Sequence, residues 1–163
     1  WAIAQDKMPI ALRVPTNGVH HATAPVDTEY GYEPSYKVMH RGSRVAIIAA
    51  GSFYQKGKRV ACLLADKGID ATLINPRYLH AVDADTLNGL KADHQFVVTL
   101  EDGCKDGGFG ERIASFYGTS SMRVLVSGIK KGLYDRFDVN ELLADNRLLD
   151  EQIVEDVIEG LEG

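Results

Sequence analysis

The chain has 163 residues, 45% of them hydrophobic and 25% charged, with a formal net charge of -5. That size holds one ordinary domain with an appended segment and buries roughly 70% of the surface its unfolded form exposes, so neither a disulfide nor a structural metal is needed to fold it. The acidic balance excludes non-specific nucleic-acid binding, which relies on clustered Lys and Arg, and no apolar run reaches the length of a membrane span or a secretory leader.

In chain order, the first dozen residues read as the middle of a longer polypeptide, since Trp1 is no initiator. Met8 to Val14 (MPIALRV) is a short apolar run suited to a buried strand, closed by Pro15 and the turn signal Asn17-Gly18. Residues 16–42 carry no sustained period, contain Pro25, Pro34, Gly18 and Gly31, and are too long for a loop inside a compact domain. They read as an interdomain linker. From Ser43 onward the pattern is regular. Arg44 to Ala50 is a continuous apolar run, as in a central parallel strand covered on both faces. Lys58 to Lys67 has helical spacing and stops at Gly68. Ala71 to Asn75 is a strand, Asp83 opens a helix carrying Leu87 and Leu90, and Gln95 to Leu100 is a third strand. A Gly-rich loop then leads into a helix through Ile113, Ala114 and Phe116, and Met122 to Val126 supplies a fourth strand. Asp138 to Leu143 and Asp150 to Leu161 are closing helices, the second with Ile153, Val154, Val157, Ile158 and Leu161 in one apolar stripe. Strands alternating with helices predict an α/β fold, a mostly parallel sheet flanked by helices on both faces.

The order of short motifs is more specific than any one of them. Ile74 to Asp83 (INPRYLHAVD) resembles "NARFVKPLD", Val98 to Gly110 (VTLEDGCKDGGFG) resembles "VTVEE...GGAGS", Tyr134 to Phe137 (YDRF) resembles "PDRF", and His40-Arg41-Gly42 resembles "RRG". The quoted strings are those of the C-terminal region of the 1-deoxy-D-xylulose-5-phosphate synthase and transketolase family, which this chain resembles over nearly its whole length. It implies that residues 1–15 end a pyrimidine-binding domain, 16–42 form a linker and 43–163 form a transketolase-like C-terminal domain. It also implies a cytoplasmic enzyme using thiamine diphosphate and magnesium, both held by upstream domains of the same or a partner chain and neither bound by this region alone. The region itself would contribute homodimer contacts and hold substrate, with no nucleic acid and no membrane as partner. The alternatives are a non-catalytic assembly or regulatory module of the same fold, or the C-terminal part of a transketolase or a 2-oxo acid dehydrogenase β subunit. One departure bears on substrate: where the family has Tyr-Pro-Arg-Gly, this chain has Val14-Pro15-Thr16-Asn17.

Arg77 follows a strand and precedes a helix, which puts it at the carboxyl edge of the sheet, where ligands of open α/β folds collect. The resemblance assigns substrate phosphate to Arg77 and to Arg41, a role suited to a planar fork of donors. The alternatives are a structural Arg77 paired with an acid or carbonyl and a solvated Arg41. The Gly103 to Gly110 loop offers backbone N–H groups to an anion, or else serves packing and a turn. Glu101 and Asp102 end a strand at the same edge, where a carboxylate pair can do acid–base work but more often caps or turns. His20, His21, His40, His80 and His94 are scattered without metal-site spacing. Cys62 and Cys104 read as reduced thiols, Cys104 in the exposed loop.

Overall fold

A computed structural model describes residues 1–14, 18, 21 and 25–163. Five strands form one sheet: β1 (Lys37–His40), β2 (Arg44–Ala49), β3 (Thr72–Asn75), β4 (His94–Cys104) and β5 (Arg123–Ile129). The helices are α1 (Tyr54–Ala65), α2 (Ala84–Leu90), α3 (Phe109–Tyr117), α4 (Val139–Asp145) and α5 (Asp150–Glu162), with a 3-10 turn at Gly51–Phe53. The strand order is β1-β3-β2-β4-β5. All pairings are parallel except that of β1 with β3.

The apolar run of β2 is the reason the sheet needs helices on both sides. Successive side chains of a strand point to opposite faces. Val45, Ile47 and Ala49 therefore meet Val60 and Leu64 of α1 and Ile153, Val154 and Val157 of α5. Ala46 and Ile48 meet Leu87 and Leu90 of α2 and Ile113 and Tyr117 of α3. Ile47 and Ile48 are fully buried, each contributing about 1.5–3 kcal/mol. Asp83 opens α2 by accepting the Thr86 N–H, and its other oxygen accepts the Tyr36 N–H at 2.8 Å, tying the approach to β1 onto the same helix.

Two expectations change here. Met8 to Val14 is not a strand: none of the described strands pairs with it, and Met8, Leu12 and Val14 are exposed. An apolar run without a ladder partner leaves its backbone groups to water. Within residues 16–42, Lys37–His40 form β1, so the sheet begins ahead of Ser43. Three of its four residues are exposed, which erases the alternation that signals a strand; pairing with β3 holds it. The expected turn at Pro15 and Asn17, and His20, lie outside the described residues. Elsewhere the boundaries shift modestly. The 3-10 turn carries the chain into α1 at Tyr54, and β4 runs past Leu100 to Cys104.

Candidate functional site

The connection β2-α1-β3 runs to one side of β2, and β3-α2-β4 crosses back to the other. This reversal opens a crevice at the carboxyl ends of β2 and β4, the usual ligand position of an open α/β sheet. Ser52, just past β2, donates to Asp102 Oδ2 at 2.7 Å. Arg13, from the N-terminal segment, places its guanidinium against the other oxygen of the same carboxylate. The crevice thus contains a cation of the chain itself.

Glu101, one residue earlier on β4, is buried and turned to the opposite face. Its carboxylate accepts the N–H of Phe109 at 3.1 Å and of Gly110 at 2.8 Å, the first turn of α3. An internal anion therefore occupies the helix N-terminus that the Gly-rich loop offered to a ligand. Close packing around this contact requires the glycines. A Cβ on Gly108 would fall 2.7 Å from Glu101 Oε1, and one on Gly110 would fall 2.5 Å from Val126 and into the Thr99 hydroxyl. Glu101 and Asp102 do not converge as an acid–base pair; one caps a helix and the other clasps Ser52 and Arg13.

Arg77 stands past the carboxyl end of β3 with a left-handed backbone, φ 56°. Its Nε and Nη2 donate to the Ser35 carbonyl at 3.1 and 2.7 Å, and its Nη1 donates to Asp27 Oδ2 at 2.9 Å. The guanidinium also stacks near the rings of Tyr30 and Tyr78. Asp27 in turn accepts from Lys37 Nζ through both oxygens, at 3.0 and 2.9 Å. The Lys37 hydrogen bond, with the Arg77 charge added, holds the Asp27 carboxyl below the ordinary carboxylate range. Asp27, Ser35 and Lys37 escaped sequence reading because they lie 40 or more residues from Arg77, or carry no motif of their own.

Arg41 lies at the other edge. It follows β1, which runs antiparallel to β3 with His40 opposite Leu73, so it falls beside the amino end of β3. At about 3.3 Å per residue, the four residues of β3 alone separate the two edges by about 10 Å. The structure does not bring Arg41 and Arg77 together. Arg41 Nη2 instead donates to both oxygens of Asp93 at 2.9 Å. This hydrogen bond, with His94 adding to it, lowers the Asp93 pKa. Behind Asp93 runs a buried relay. His94 Nδ1 lies 2.6 Å from Asp93, His94 Nε2 lies 2.8 Å from the Thr72 hydroxyl, and that hydroxyl accepts the Gly42 N–H at 2.9 Å. The set is satisfied when Nδ1–H donates to Asp93 and the Thr72 O–H donates to Nε2. His40 makes a separate pair with Asp70 at 2.6 Å, and His21 is exposed. Among the described residues no three His, Cys, Asp or Glu side chains converge as a metal site.

Cys104 is exposed and lies 3.9 Å from an Asp106 oxygen. It lines a shallow cleft of about 420 Å³ with Lys130, Lys131 and Tyr134 at the ends of β4 and β5. Among the described residues no helix is long and apolar enough to cross a membrane.

Comparison with known proteins agrees with this architecture. Residues 35–142 match the family described as transketolase, C-terminal domain. The 1-deoxy-D-xylulose-5-phosphate synthase of Lysinibacillus sphaericus is 30% identical over 159 residues, covering 94% of this chain and 25% of the synthase. That of Gloeothece citriformis is 31% identical over 157 residues, covering 92% of this chain and 24% of the synthase. The chain therefore spans about a quarter of the length of these relatives. Among solved structures, a split-gene transketolase in an inactive β4 tetramer superposes with a TM-score of 0.72 at 24% identity, over 84% of this chain and 45% of that one. A transketolase mutant from Pichia stipitis superposes with a TM-score of 0.55 at 12% identity, over 78% of this chain and 18% of that one. With the matched region beginning just ahead of β1 and running into α4, the chain belongs to the transketolase C-terminal domain family.

Proposed function

We propose that this chain is the C-terminal module of a thiamine-diphosphate-dependent transketolase-type enzyme, most like 1-deoxy-D-xylulose-5-phosphate synthase. In that role it joins a two-carbon unit from pyruvate to glyceraldehyde 3-phosphate only together with upstream domains. The observation that carries the reading is the alignment of almost the whole chain with one quarter of the synthases. Among the described residues the carboxylates at the sheet edge do not fit the magnesium diphosphate of the cofactor: Glu101 is spent on the first turn of α3, and Asp102 on Ser52 and Arg13. A magnesium ion needs free oxygen ligands in near-octahedral array. The cofactor site falls to the upstream domains, and this module serves a cytoplasmic homodimer and the substrate.

Arg77 is the residue we assign to the substrate phosphate. Its fork stands at the carboxyl edge, and the Ser35 carbonyl fixes its plane. Arg41, at the amino edge and engaged by Asp93, is assigned to the fold. In the longer protein, Arg77→Ala should raise KM for a phosphorylated acceptor by about ten- to hundredfold, the loss of a charge-assisted contact, and leave a non-phosphorylated acceptor unaffected. Steady-state kinetics with both acceptors tests this. Equal effects on both acceptors would return Arg77 to a purely structural role. The replacement of Tyr-Pro-Arg-Gly by Val14-Pro15-Thr16-Asn17 favours a second reading, a non-catalytic assembly module. A longer protein that transfers no ketol unit with cofactor and magnesium supplied would establish it.

A further inference from the structure

The cations of Arg77 and Lys37 converge on one carboxylate, that of Asp27, within 3.0 Å. We propose that Asp27 is an intramolecular plug, its carboxylate standing in for the phosphate group that this two-cation site takes from a ligand. The inference rests on the assignment of Arg77 to substrate phosphate and adds to it how the site is kept closed.

Three features of the geometry support it. First, the site is built without Asp27. Two of the guanidinium nitrogens are held by the Ser35 carbonyl, and the Tyr30 and Tyr78 rings flank the group. Removing Asp27 therefore leaves Nη1 aimed where the carboxylate was, with no reorganisation needed to receive another anion. Lys37 is placed independently by the pairing of β1, in which it faces Asn75.

Second, the charges match a phosphate better than a carboxylate. Two full cations facing one monoanion leave a net positive charge, which a phosphate dianion neutralises. Its additional oxygens can accept from Arg77 Nη1 and Lys37 Nζ at once, the ammonium acting as a point charge. Third, the plug is accessible. The Asp27 side chain is 36% exposed and that of Lys37 is 40% exposed, while Arg77 is only 20% exposed. Asp27 also belongs to an irregular stretch, outside any strand or helix. Its carboxylate can swing away without breaking a ladder.

The test is titration with inorganic phosphate at low ionic strength, followed by amide chemical shifts and by thermal midpoint. Asp27→Asn should bind phosphate at least about tenfold more tightly than the unaltered chain, the scale of a charge-assisted contact released from an internal competitor. The gain should vanish when Lys37→Met is added, and chloride at matched ionic strength should not reproduce it. Should Asp27→Asn unfold, Asp27→Ser carries the same comparison. Phosphate affinity unchanged by either folded variant overturns the plug, as does a gain that persists without Lys37. An unchanged affinity together with an acceptor-specific Arg77→Ala defect in the longer protein removes the plug alone. A gain in affinity with a silent Arg77→Ala removes the substrate assignment alone.

Discussion

Replacing Glu101 tests whether the Gly-rich loop is held by an internal anion. The carboxylate receives two backbone N–H groups from the first turn of α3. Hydrogen bonds to a charged group contribute about 1.5–3 kcal/mol each, and an orphaned buried donor costs about 1–3 kcal/mol. Glu101→Gln keeps the shape and one acceptor, turning an amide donor toward the second N–H; the expected loss is about 2 kcal/mol. Glu101→Ala leaves both donors unpaired and removes the negative charge from the positive end of the helix, for an expected loss of about 3–6 kcal/mol. With a urea m-value of about 2 kcal/mol/M for a chain of this size, the unfolding midpoint should fall by about 1 M for Gln and by 1.5 M or more for Ala. Equilibrium urea unfolding followed by circular dichroism reads both. A midpoint lowered by less than about 0.5 M in the Ala variant would mean that water satisfies the α3 terminus and that the loop is open to external anions after all.

Other expectations address the remaining clasps. Asp150 joins α5 to α1 through Lys56 and Arg59; burial pushes its carboxyl up, but the hydrogen bonds from Arg59 and Lys56 outweigh that and hold it below the ordinary range. Its folded pKa being depressed, this stabilisation is complete above the unfolded value of about 3.9 and is lost as pH falls through the folded value. Lys56→Met should therefore flatten the acid limb of a stability-versus-pH curve, and an unaltered limb would refute the assignment. Asp83→Ala should cost about 2–4 kcal/mol in urea unfolding, combining a lost N-cap with an orphaned Tyr36 N–H, whereas Asp83→Asn should lose under half of that. A Cβ at Gly42 would enter the backbone carbonyl of Asp70. Gly42→Ala should therefore destabilise by about 3 kcal/mol or more, because backbone cannot yield as a side chain does; a thermal midpoint within a few degrees of the parent would count against that contact.

What the sequence made legible was whatever local pattern controls. The β2 run, the α5 stripe and the Asp83 cap each follow from neighbouring residues, and each appears within a few positions of its expected place. β1 was invisible because its stability comes from Asn75 and Ile74, more than thirty residues away, and not from its own exposed side chains. The same distance effect governs the site. The strand-then-helix order located Arg77 at the carboxyl edge but carried no sign that Asp27 would pair with it. Arg41 precedes β2 and Arg77 follows β3, so in a parallel pair they fall at opposite edges; the shared phosphate assignment came from the motifs and not from this order. Glu101 and Asp102 are adjacent in sequence, yet the strand's alternation separates their tasks.

The antiparallel β1 also dictates an order of events. It pairs with β3, not with the β2 that follows it directly, so its docking place does not exist until the β2-α1-β3 crossover has closed. The loop entropy of that crossover must be overcome before β1 gains a single ladder bond. The edge strand, and with it the Asp27 and Ser35 contacts to Arg77, should assemble last in refolding and open first in native-state hydrogen exchange. A segment that detaches by sub-global unfolding while the parallel sheet stays intact would let the carboxyl edge be uncovered and covered again without the domain ever leaving its native core.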